Sequence, residues 1–116
     1  MNLNQLKAVG GIVDSQRVRK QISWHRHDDL SGEETTEILT LHVRRHSFGV
    51  IERLFAVDDP IQSRNARYIA ASVGLGEEGE EAMSYDDAFN LEPALGFLIL
   101  NAINEVNGTG NTPAKR

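Results

Sequence analysis

A chain of 116 residues has the length of one domain. Its 40% apolar and 25% charged residues mark a folded globular protein rather than a disordered one, with a modest core and little left over for a deep active-site cleft. The absence of cysteine excludes disulfide frameworks and thiolate zinc sites, and a net charge of −5 disfavours a uniformly basic nucleic-acid binder.

Charge is unevenly divided. Residues 1–67 carry ten Lys/Arg against nine Asp/Glu, whereas residues 68–116 carry two against eight. That asymmetry allows a local basic patch, or contact between the unlike halves of neighbouring copies. The lead Met1–Gln16 lacks the basic start and continuous apolar run of a signal peptide. The longest apolar run, Phe97–Leu100, is too short to cross a bilayer.

In the lead, Leu3, Leu6, Val9, Ile12 and Val13 are split by Gly10-Gly11, a pattern for one or two helical turns at most in a loosely ordered stretch over residues 1–16. Arg17–His27 then alternates as a strand does, with Val18, Ile22 and Trp24 on one face and Arg17, Arg19, Gln21, Ser23 and His25 on the other. A polar turn, Asp28–Glu34, precedes a second alternating run, Glu37–Arg44, in which Leu39, Leu41 and Val43 oppose Thr40, His42 and Arg44. The two runs predict an antiparallel hairpin covered on one side.

The period changes at Ser47, an N-cap. Phe48, Val50, Ile51, Leu54, Phe55 and Val57 share one half of the following helix. Asp59-Pro60 reads as the cap and first residue of another helix. Ile61–Val73 reads two ways, as helix in its first half and, since Ile69, Ala71, Val73 and Leu75 alternate, as strand in its second; a helix passing into a short strand is favoured, with an acidic turn following at Gly76–Gly79. Ser84 with Asp87 starts a short helix through Leu91. Pro93 opens the last helix, which runs to Asn107 with Gly108 as its left-handed stop. Its core stripe is Leu95, Leu98, Ile99, Ala102, Ile103 and Val106. The fold class is therefore α+β: one domain over residues 1–107 with antiparallel hairpins against three or four helices, then a flexible tail over 108–116.

Chemistry-bearing patterns fail on inspection. Gly74-Leu75-Gly76-Glu77-Glu78-Gly79 matches the dinucleotide fingerprint, yet Glu77, Glu78, Glu80 and Glu81 would repel a pyrophosphate and no helix follows at once. His25, His27 and His42 could bind a metal only by converging, and Arg17, Arg19 and Arg44 on the same face would weaken a cation site. Ser72 is not in a nucleophile elbow, and Asp28/Asp29 and Asp86/Asp87 fall in turns or caps. Glu77–Glu81 lacks the calcium-loop spacing. No enzyme, metal or cofactor is expected.

Two surfaces remain. The basic hairpin face, with Arg17, Arg19 and Arg44, would serve nucleic acid only if Trp24 pointed outward, and otherwise suits an acidic partner. On the last helix, Phe97 and Leu100 lie outside the core stripe. They need cover from the lead or from the helix after Ser47, or else they mark an interface.

Lys20-Gln21-Ile22-Ser23-Trp24, the hairpin ending Leu39–Arg45, Ser47–Leu54, Ile69–Val73, Met83–Ala88 and Ala102–Asn107 follow one another in an order that resembles the tail assembly chaperones of siphophage-type bacteriophages and prophages, over residues 9–107. The resemblance implies a non-enzymatic protein of the host cytoplasm, absent from the mature virion. It would bind the long helical tape measure protein, keep it soluble during tail assembly, and associate with tail tube protein through a frameshifted longer form. Self-association is compatible with it. The alternative is a small nucleic-acid-binding phage regulator using the basic hairpin face.

Overall fold

The computed structural model describes residues 1–14, 16–56 and 59–108. The expected tail beyond Gly108, and Val57 of the helix after Ser47, lie outside these. The α+β class holds: among the described residues a four-stranded antiparallel sheet is accompanied by five helices.

Strands β1 (Arg17–His27) and β2 (Glu34–Arg44) pair from Arg17 opposite Arg44 to His27 opposite Glu34. The second strand begins three residues before the expected Glu37, because the turn is tighter than its composition suggested. Asp28 Oδ1 accepts from the Leu30 N–H, the Asp28 N–H donates to the Glu33 carbonyl at 2.8 Å, and Gly32 adopts φ 76°. Alternation sorts the faces as expected. Val18, Ile22, Trp24, Leu39, Leu41 and Val43 turn to one side, where Leu41 and Val43 are fully buried and Ile22, Trp24 and Leu39 pack beside them.

Helix α2 (Phe48–Ala56) follows Ser47, whose Oγ accepts from the Val50 N–H. The next helix does not start at Asp59-Pro60. Asp59 Oδ1 is taken by the Ile61 N–H in a turn, and Ser63 instead caps α3 (Arg64–Ser72) by accepting from the Ala66 N–H. Ile69 and Ala71 are helical. The strand begins only at Val73, as β3 (Val73–Leu75), which pairs with β2 and, across the Gly76–Gly79 turn, with β4 (Glu81–Ala82). Two polar caps compete for this helix start, and the one nearer the apolar stripe of Ala66 and Ile69 prevails.

Ser84 caps α4 (Tyr85–Phe89) through the Asp87 N–H, and the helix stops two residues before Leu91. Helix α5 (Pro93–Asn107) has the expected bounds, with Glu92 capping the Leu95 N–H and Gly108 left-handed at φ 66°. It lies across β1 and β2 beside α3. Its Leu95, Ile99, Ala102 and Ile103 are buried, while Leu98 and Val106 are half-buried at the edges of the stripe. Tyr68 fills the space between α3 and α2, its ring 4.9 Å from that of Phe55.

Phe48 departs from the expected stripe of α2: it is 80% exposed. That helix reaches the core through Ile51, Leu54 and Phe55 alone, since it packs at the end of the helical layer and its first turn overhangs it. Helix α1 (Leu3–Ala8) buries no residue at all.

Candidate protein-interaction surface

The outer face of the hairpin carries Arg17, Arg19, His25, His42 and Arg44, as alternation requires. Arg17 stands opposite Arg44, and Arg19 opposite His42. Arg17 donates to the Gly79 carbonyl, which draws the acidic turn over this face. A Cβ on Gly79 would run into the His42 side chain, and one on Gly74 into the Gly79 carbonyl. The glycines of the apparent nucleotide motif thus permit a close chain crossing. Glu80 is held below the usual carboxylate range by its own N–H and that of Glu78, with His42 adding to the effect. The basic face and the acidic turn, which the charge asymmetry allowed to meet between copies, touch within one chain.

The three candidate metal histidines are spread along the hairpin. His25 lies six residues from Arg19, the partner of His42, or about 20 Å at ~3.3 Å per residue. Its Nδ1 is 2.8 Å from Thr36 Oγ1, and His27 stands opposite Glu34 at the turn. Among the described residues no cluster of three or more His, Asp or Glu could hold a metal ion. The Nε2 of His42 is buried beneath the turn without a hydrogen-bond partner.

Trp24 packs against the core with the Arg26 guanidinium 5.9 Å from its ring, so it is no outward platform for bases. Ser72 is 2% exposed; its hydroxyl donates to the Tyr68 carbonyl at 2.5 Å and lies 2.8 Å from His46 Nε2. Because that hydroxyl proton is committed, Nε2 of neutral His46 carries the hydrogen. Burial, then the Arg44 charge, holds the His46 imidazole below its ordinary pKa. This is a structural clasp: the His46 N–H donates to Asn107 Oδ1 at 2.6 Å, and Asn107 Nδ2 donates to the Arg44 carbonyl, fastening the end of α5 to the β2–α2 connection.

The apolar feature lies on the helical side. An open groove of about 190 Å³ runs among α3, α4 and α5, floored by Ala66, Ile69 and Ala88 and lined by Phe89, Phe97 and Leu100. Phe97 is 64% exposed and Phe89 58%, whereas Leu100 is half-buried against the core. Phe97 and Leu100 are therefore neighbours in one groove but are not equally free. Sequence reasoning missed Phe89. Its spacing of four from Tyr85, whose ring it approaches at 5.9 Å, was the available signal. The acidic residues Asp86, Asp87 and Glu92 belong to α4 and the α5 cap, and residues 68–114 contain no Lys or Arg. No helix among the described residues is long and apolar enough to cross a membrane.

Neither a curated protein nor a solved structure matches this chain significantly. The sequence model of the family described as "Phage tail assembly chaperone, TAC" matches residues 4–107, from within α1 to the last residue of α5. With every strand and all of the groove inside that span, the chain belongs to the phage tail assembly chaperone family.

Proposed function

We propose that this chaperone binds a helical segment of the tape measure protein in the α3–α4–α5 groove and keeps that protein soluble until the tail tube forms around it. The observation that carries the reading is the pair Phe89 and Phe97, each more than half exposed, lining one apolar groove from two helices. Aromatic side chains with few rotatable bonds bind at low entropic cost, and an amphipathic client helix fits such a groove with its apolar face. The acidic residues of α4 and the α5 cap favour clients with Lys or Arg flanking that face. The role needs no reaction, and the part-buried hydroxyl–imidazole pair, Ser72 with His46, is engaged in the fold. The work is done in the host cytoplasm and the chaperone is not retained in the virion. A frameshifted longer form would bring tail tube protein to the same client.

Co-expression with the tape measure protein tests this. The chain should hold the client in the soluble fraction and co-purify with it, and Phe89→Ser with Phe97→Ser should return the client to the pellet. Retention of a soluble complex by that double variant would move the client site elsewhere, with exposed Phe48 on α2 the next to examine.

A further inference from the structure

Helix α1 is built with unusual care for an element that buries nothing. Asn2 and Gln5 form a reciprocal capping box, with Oδ1 of Asn2 accepting from the Gln5 N–H and Oε1 of Gln5 from the Asn2 N–H. At the other end Gly10 adopts φ 87°, its N–H donates to the Lys7 carbonyl, and the Gly11 N–H donates to the Leu6 carbonyl. That is a doubly bonded glycine stop. A six-residue helix is far below the length that is stable alone in water, ~12–15 residues, so such capping prepares a shape for contact. Leu3, Leu6 and Val9 recur every three residues, and all are exposed together with Met1 and Ile12.

We infer that α1 of one copy docks in the α3–α4–α5 groove of a second copy. The groove is the one assigned above to the client, but the inference does not depend on the client's identity. The two partners complement each other in the same molecule. Most of the large exposed apolar side chains lie either in residues 1–12 or, as Phe89 and Phe97, in the groove. Lys7 is the only charged side chain in residues 1–13, and it would face Asp86, Asp87 and Glu92. A volume of about 190 Å³ suits one or two leucine-sized side chains such as Leu3 and Leu6, not a long helix face. One six-residue helix, ~9 Å long, buries far less than the ~1,200–2,000 Å² of a stable interface. Reciprocal exchange doubles the contact and closes the assembly as a twofold dimer. Self-association of this kind is weak enough for a client helix to displace α1, and it covers the groove in the meantime.

The test is sedimentation of the full chain over a range of concentrations, without tape measure protein. The native chain should dimerise. Leu3→Asp with Leu6→Asp, and separately Phe97→Asp, should each weaken dimerisation by about tenfold or more, the loss of at least one apolar anchor. Melting curves should stay close to native, since all three side chains are exposed. Mixing the two variants should give a one-to-one complex tighter than either variant's self-association but weaker than the native dimer, because the mixed pair forms one native α1–groove contact where each variant alone forms none. A native chain that stays monomeric overturns the inference, as does an unchanged dimer in the Leu3/Leu6 variant. The client assay separates the two readings: the Leu3/Leu6 variant keeps its groove and should still co-purify with the tape measure protein.

Discussion

Arg17 and Gly79 stand 62 residues apart in sequence, yet the Arg17 guanidinium donates a hydrogen bond to the Gly79 carbonyl and holds the acidic turn against the outer face of the hairpin. This bond joins the first residue of β1 to the turn between β3 and β4, at opposite edges of the sheet. It therefore braces the end of the sheet beside β4, whose two residues are both exposed, whereas Val73 of β3 is anchored in the core.

Loss of that brace should be local. Arg17→Ala should cost about 1 kcal/mol, the usual net worth of a partly exposed hydrogen bond, and the amides of residues 76–82 should exchange faster with solvent. Hydrogen-exchange mass spectrometry reads this directly. Unchanged protection there would mean that the turn is held by its glycines alone.

The glycines should be more costly to replace. Gly79 has φ 78° and lies against His42, while a Cβ on Gly74 would meet a backbone carbonyl that cannot rotate aside. Gly74→Ala and Gly79→Ala should each lose about 1–3 kcal/mol, as strained or overpacked sites do. Denaturant titration checks the magnitude.

Acid should weaken the fold through His46. Burial and Arg44 lower its folded pKa, so below the ordinary value the unfolded chain binds more protons than the native one. The His46 contribution is therefore complete above about pH 6.5 and is lost as pH falls from there toward the folded pKa. Replacing His46 by Gln, which can still donate toward Ser72, should flatten the fall in stability below about pH 6.5. An equally steep profile in the variant would assign the dependence to another group.

Within α5, neighbouring positions should separate binding from stability. Ile99→Ala removes a side chain that is buried against the sheet and should cost about 2–5 kcal/mol. Phe97→Ser should stay within about 0.5 kcal/mol of native stability, as exposed substitutions do, while abolishing co-purification with the tape measure protein. Leu100→Ser should do some of each, because that side chain is shared between groove and core. Thermal melts run beside the client assay distinguish the three.

What the sequence determined by itself was local. The faces of β1 and β2 follow from strict alternation, because a pleated strand sends successive side chains to opposite sides whatever lies around it. The starts at Ser47, Ser84 and Pro93 and the stop at Gly108 follow from side chains or dihedrals acting within about one helical turn. Tertiary structure decided whatever depended on distant neighbours. Ser63 displaced Asp59 as a cap because the Ala66–Ile69 stripe had to meet the core. Phe48 was left in solvent because α2 sits at the end of the helical layer, although its spacing matched the stripe. Phe89 joined Phe97 in one groove only because α4 and α5 fold beside α3. An amphipathic period states which side of a helix is apolar, but whether that side is covered depends on packing that no local pattern encodes.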